Sequence, residues 1–374
     1  MKRSVTGFLE WCHDPDTYGF RFSPRGQATL LSTCFGVQLA YLHDIGDVYD
    51  RGRLANTIRT CGQPSGLFRD PEFRVDDLVG SHDATYLDWQ FTYFSLIALD
   101  MLGAASDQPL AFLAEFKQSS FLAAWLESRE WDRFWHASNE IMFLLYFLTW
   151  ESVHCPSQKG ACSESLNQCF AELDRRQDPQ TGFWGTESGG DLAQGLFGAA
   201  HIYLFYEYHN RPLQYRREAI DTTVKLANQR GLYGGLYGGA CEDYDAAEVL
   251  LRMAAMGEIL PAAAVDVLQR MKQSITDACR RGGFPYALPR PGTLGLVDRV
   301  SFKIRGQSLY RYSGWQKMES ALFSPDMWGT YFRTLTLAMI ERSSNPSSLG
   351  VTYDLPGWGY LVAPGCALDK GADE

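Results

Sequence analysis

The sequence predicts an all-α protein, a single domain over residues 1–374 built as an array of helical hairpins in two layers. Three observations predict it. Six apolar helical stretches recur, and with Thr33, Asp88, Asn139, Gln194, Asp243 and Asp326 as reference points the intervals are 55, 51, 55, 49 and 83 residues. A hairpin of this length cannot bury its own apolar face and needs neighbours. More amphipathic segments alternate with the apolar ones, and no convincing run of alternating strands interrupts them.

In chain order, apolar residues at helical spacing mark Ala28 to His43, Tyr86 to Leu102, Ser138 to Trp150, Leu192 to Tyr208, Asp243 to Met256 and Asp326 to Ile340. Between them lie Tyr49 to Cys61, Leu110 to Glu127, Glu164 to Arg176, Leu213 to Asn228 and Pro261 to Arg281. These carry surface charges such as Arg175, Arg176, Arg216, Arg217, Arg270 and Lys272, as helices of an outer layer should. Alternation of the two kinds implies concentric layers.

Composition sets limits on function. The chain is 45% hydrophobic and 14% aromatic, ample material for a large core. A net charge of −10 without a basic block argues against nucleic acid as a partner. The N-terminus reaches Glu10 before an apolar run of signal-peptide length, so no secretion signal is read. Apolar stretches such as Ile141 to Trp150 are too short to span a bilayer, which leaves only peripheral membrane contact open. Nine cysteines without a metal-like CxxC pair point to reduced thiols in a cytoplasmic protein.

The turns repeat as well. Gln63-Pro64-Ser65-Gly66-Leu67-Phe68 follows one outer segment and Gln177-Asp178-Pro179-Gln180-Thr181-Gly182-Phe183-Trp184 follows another, with degenerate copies at Gln229–Tyr233 and Arg281–Tyr286. Glutamine can bond open backbone groups at a helix end, glycine allows the positive φ needed to leave it, and the aromatic packs back over the turn. This Gln, Gly and aromatic pattern resembles the QW repeats of the terpenoid cyclase and protein prenyltransferase superfamily, in a squalene-cyclase-like form, from about residue 28 to 340. The resemblance implies an (α/α)6 toroid whose inner helices surround a cavity, with their leading ends at one mouth. Glycan-processing enzymes share that architecture, so it does not decide function.

The last interval is long because of an irregular insertion before the final inner helix, residues 284–324, read as a lid or a solvated loop. It carries Tyr286, Phe302, Tyr310, Tyr312 and Trp315 and a local excess of four positive charges, suited to an anionic or carbohydrate-like ligand. The C-terminal segment 343–374, with Tyr353, Trp358 and Tyr360, is expected to cover the domain.

The chemistry is expected at the fifth inner helix. Glu242 and Asp245, three residues apart, share a face, whereas Asp243 points elsewhere and is placed to cap the helix. Neighbouring carboxylates in a partly dry site raise the pKa of one into the range of a general acid. Asp243-Tyr244-Asp245-Ala246-Ala247 resembles the DxDD-T-A motif of class II terpene cyclases, with Ala246 and Ala247 in place of the final aspartate and the threonine. The resemblance implies Asp245 as the acid that protonates an alkene or epoxide. No DDxxD element for a magnesium-bound diphosphate is present, since Asp76-Asp77-Leu78-Val79-Gly80 lacks its third acid.

Other polar groups are candidates for binding substrate. Asp326, Thr330 and Arg333 form a stripe on the sixth inner helix beside Trp328, which either faces the cavity or is an Asp326–Arg333 ion pair. Gln194 and His201 share a face of the fourth; His82, Asp88, Gln90 and Tyr93 lie on or before the second; Asn139 opens the third. No metal set, phosphate loop or nucleophile elbow is recognised, and no cofactor is expected. The partner is a small molecule, an isoprenoid or an oligosaccharide. Three readings follow: a terpenoid-cyclase-like isomerase or lyase, a hydrolase or lyase acting on an acidic glycan, and a non-catalytic binding toroid.

Overall fold

A computed structural model of the chain describes residues 2–80, 83–344 and 353–360. Among them are thirteen α-helices: α1 Lys2–Cys12, α2 Leu30–Leu42, α3 Arg51–Arg59, α4 Ala84–Met101, α5 Ser119–Glu127, α6 Phe134–His154, α7 Lys159–Arg176, α8 Leu192–Tyr208, α9 Arg216–Leu226, α10 Ala240–Ala255, α11 Ala262–Ala278, α12 Thr293–Ile304 and α13 Met327–Ser344. Two short antiparallel pairs complete the described set, β1 His13–Asp14 with β2 Gly19–Phe20 and β3 Leu309–Arg311 with β4 Glu319–Ala321. The chain is thus mostly helical.

Burial separates the helices into two kinds. Nearly every residue of α2, α4, α6, α8, α10 and α13 is buried, whereas α3, α5, α7, α9 and α11 each bury one stripe. The buried helices pack in chain order, each on the next, and α13 packs on α2. From the other set, α3 lies against α2 and α4, α9 against α8 and α10, and α11 against α10 and α13. Apolar burial of this extent is the main favourable term in folding.

Local signals set where the buried helices begin. Thr29 and Ser32 form a reciprocal capping box on α2, Asp83 accepts the Tyr86 N–H at 2.8 Å on α4, and Asp191 accepts the Ala193 N–H at 2.9 Å on α8. The residue flanking α10 is Gly239, with no side-chain cap, so the capping role expected of Asp243 is not what the structure shows. The Glu242 carboxylate folds back over Gly239 and leaves no room for a Cβ there.

The repeated turn works as its chemistry suggests at one copy. Gln177 Nε2 donates to Gly182 O at 2.7 Å and Gln214 O at 3.0 Å, and the Trp184 indole donates back to Leu173 O at 2.8 Å. Gly182 has φ +77°, and a Cβ there would lie 2.5 Å from Tyr215 O. In the copy near 230 the anchor is Asn228, whose Oδ1 accepts the Arg230 and Leu232 N–H groups, while Gln229 is exposed.

The insertion 284–324 is more ordered than its proline and glycine content predicts, since it holds α12 and the β3–β4 hairpin. Residues 353–360 are tied to four of the buried helices. Tyr353 bonds Tyr146 and Asp100, the Trp358 N–H donates to the Tyr93 hydroxyl at 2.7 Å, Tyr331 donates to Trp358 O, and Arg252 donates to Tyr360 O. No helix among the described residues is long and apolar enough to cross a membrane.

Candidate functional site

Residues from the first three turns of five of the buried helices gather around one cavity of about 790 Å³. Tyr86 and Gln90 come from α4, Trp135, His136 and Asn139 from α6, Gln194 and His201 from α8, Cys241 from α10 and Trp328 from α13. The insertion supplies Tyr286, Tyr310, Arg311 and Tyr312, and Trp358 comes from the C-terminal segment. A volume of this size suits a small molecule, and the wall mixes tyrosines and tryptophans with amides, histidines, two arginines and Glu319.

The insertion is held on this cavity by side chains of the helix ends. Gln90 donates to the Tyr312 hydroxyl at 2.9 Å and accepts from Ser313 at 2.8 Å. The Tyr286 hydroxyl donates to Glu242 Oε1 at 2.7 Å, and its ring stacks on Tyr310 at 4.7 Å. The Val79 N–H donates to Gly314 O at 2.8 Å. A backbone tie and paired side chains therefore fasten the loop at several points.

Three of the carboxylates singled out from the sequence have partners. Asp243 is wholly buried, accepts the Tyr233 N–H at 2.6 Å and forms an ion pair with Arg333. Burial pushes its carboxyl up to about 6 despite the arginine. Arg333 also donates to Tyr286 O at 2.8 Å, so the pairing within α13 envisaged between Asp326 and Arg333 does not form. Asp326 instead accepts the Gly329 N–H at 2.8 Å at the start of α13, and burial pushes it up to about 7. Glu242 is engaged by Tyr286 and by the Cys241 thiol, whose Sγ lies 3.1 Å from Oε2.

Asp245 differs from all of these. It is wholly buried, and neither carboxylate oxygen has a hydrogen-bond partner. Burial first, then the acids at 242, 248 and 243, pushes its carboxyl well above the usual range, which favours the protonated form. Its nearest basic group is His201 Nε2 at 3.7 Å, beyond hydrogen-bond reach. His201 Nδ1 pairs with the Ser138 hydroxyl at 2.9 Å, and burial lowers the ring to about 3, which leaves it uncharged. Because His201 lines the cavity, Asp245 stands one side chain behind the wall.

No known protein family matches the sequence, and no curated protein matches it either.

The remaining residues expected to bind substrate divide into two groups. Gln90, Asn139, Gln194, His201 and Trp328 line the cavity. Asp88 and Tyr93 do not: Asp88 pairs with Arg69, and Tyr93 receives the Trp358 backbone N–H. His82 lies outside the described residues. Sequence reasoning missed Tyr86, Trp135, His136 and Arg133 in the wall. Their signal was position, since aromatic and polar residues in or just before the first turn of an apolar helix had nowhere else to face. Among the described residues no group of His, Cys, Asp and Glu is placed to hold a metal ion, and their eight cysteines are all free.

Proposed function

We propose that the chain is an α/α toroid of six hairpins and that it is an enzyme isomerising or cyclising a small unsaturated, isoprenoid-like substrate, with Asp245 as general acid. The toroid reading is supported by the ordered packing of the six buried helices and the return of α13 onto α2. The acid reading is carried by one observation, a wholly buried carboxyl with both oxygens free, one side chain behind the cavity wall.

Proton transfer from Asp245 to a carbon–carbon double bond requires the His201 ring, which separates it from the cavity, to turn aside; the π electrons then form the new C–H bond and leave a carbocation beside the new carboxylate. The opposite charges stabilise each other strongly where water is excluded. Tyr86, Trp328 and Trp358 in the cavity wall supply aromatic quadrupoles that attract a migrating cation. Loss of a proton from the final cation ends the reaction and reloads the acid, so isomerisation needs no cofactor. Glu242, 8% exposed and bonded to Tyr286, tunes Asp245 by its charge and is a positioning residue.

A second reading rests on Arg133, Arg311, Asn139 and Gln194 in the same wall. Arginine pairs with carboxylate or sulfate and aromatic rings stack on sugars, which suits an acidic oligosaccharide. Turnover of polyprenyl substrates, with and without diphosphate, and of acidic oligosaccharides by wild type and Asp245→Asn separates the two. Isoprenoid turnover lost in a folded variant supports the acid; glycan cleavage overturns it.

A further inference from the structure

Helix α12 has the reverse of the polarity that a surface helix normally shows. Toward the protein it turns Gly295, Asp298 and the half-buried Phe302, and the Asp298 carboxylate is occupied by Arg290 and Tyr237. Outward it turns Leu296, Val297, Val300 and Ile304, which are 58–80% exposed. Leu296, Val300 and Ile304 fall at i, i+4 and i+8 and form one stripe with Val297 beside it. Five of the fifteen exposed large apolar side chains among the described residues stand on this one helix, counting Leu294. A soluble surface helix places such residues inward, and a contiguous exposed apolar face marks a site of interaction.

We propose that α12 docks the protein on the surface of an anionic lipid bilayer. The charges flanking the stripe argue for that occupant. Lys303 lies beside Leu296 at the edge of the stripe and Arg305 directly follows its last residue, Ile304; both are exposed and form no ion pair among the described residues. In a protein of net charge −10 this is a local reversal of sign beside the apolar face. An aliphatic stripe rimmed by cations is the pattern by which a helix lies in the interface of a membrane with negative headgroups. The size of the patch argues against a second copy. Twelve residues make a helix about 18 Å long and about 10 Å across, a footprint of roughly 180 Å², against roughly 800 Å² per partner in a stable protein interface. The docking is independent of which substrate the cavity takes.

Sedimentation of the full chain with vesicles tests the proposal, using phosphatidylcholine alone and phosphatidylcholine mixed with phosphatidylserine. Wild type is expected to sediment with the mixed vesicles. Leu296→Glu/Val300→Glu/Ile304→Glu should weaken partitioning by at least about tenfold per aliphatic removed. Lys303→Glu/Arg305→Glu should weaken it by about fivefold or more per cation on the mixed vesicles while leaving the weaker binding to neutral vesicles unchanged. All these positions are exposed, so circular dichroism melts of the variants should match the wild type. Wild type remaining in the supernatant with both vesicle types overturns the proposal. So does equal affinity for neutral and anionic vesicles, or a wild-type dimer without vesicle binding that the triple substitution dissociates in analytical centrifugation.

Discussion

Replacing Asp326 with asparagine should change how stability depends on pH, by an amount that follows from its burial. The carboxyl is wholly buried, and burial raises it from the usual 3.8 to about 7 although the Gly329 N–H and the Tyr310 and Ser320 hydroxyls oppose the shift. A carboxyl with a higher pKa folded than unfolded contributes stability that is fully present below the unfolded value. That contribution is lost as pH rises through the folded value. With 3.8 unfolded and about 7 folded, the loss between pH 5 and pH 8 is about 2–3 kcal/mol. Asparagine keeps an oxygen for the Gly329 N–H, which Asp326 Oδ1 now accepts at 2.8 Å, and it cannot ionise. Urea unfolding of both proteins at pH 5 and pH 8 gives the comparison, because Asp243, Asp245 and every other titrating group are common to the two. Stability of Asp326→Asn relative to wild type should rise by about 2–3 kcal/mol between the two pH values. A relative stability that stays within about 0.5 kcal/mol across this range, or that falls, refutes the reasoning.

Arg333→Met removes the partner of the buried Asp243 carboxylate and a donor to Tyr286 O, so it should cost about 3–5 kcal/mol in urea unfolding; a loss under about 1 kcal/mol contradicts a buried ion pair. Relative to wild type, Asp245→Asn should gain stability in urea unfolding as pH rises from 4 to 7, because burial and the neighbouring acids raise the folded carboxyl and only the wild type loses stability through that shift. A relative stability that stays flat or falls over this range means that the Asp245 carboxyl is not raised in the fold.

The buried helices are legible in the sequence because each is apolar on nearly all faces, a pattern only a doubly covered helix can satisfy. Their starts are less so. The third begins at Phe134, ahead of the Ser138 expected, because Trp135 and His136 face the cavity and break the apolar run. Helix α12 read as irregular because Pro289, Pro291 and Gly292 precede it and Gly295 lies in its first turn.

Site geometry was legible to the extent that it is local. Glu242 and Asp245 on one helix could be read as neighbours, and burial together with their mutual repulsion does raise Asp245. Spacing within α13 suggested Asp326 for Arg333, whereas the partner is Asp243, 90 residues away. The Glu242–Tyr286 and Gln90–Tyr312 bonds likewise join distant segments, and no periodicity encodes them.

Turnover of wild type and Asp245→Asn against linear polyprenyl hydrocarbons and their diphosphates, with products identified by mass spectrometry, tests the role of Asp245 most directly. The expected result is a cyclised or double-bond-shifted product from wild type and none from a variant that still unfolds in one cooperative transition. Equal turnover by the two proteins, or cleavage of an acidic oligosaccharide with no isoprenoid product, contradicts Asp245 as the acid.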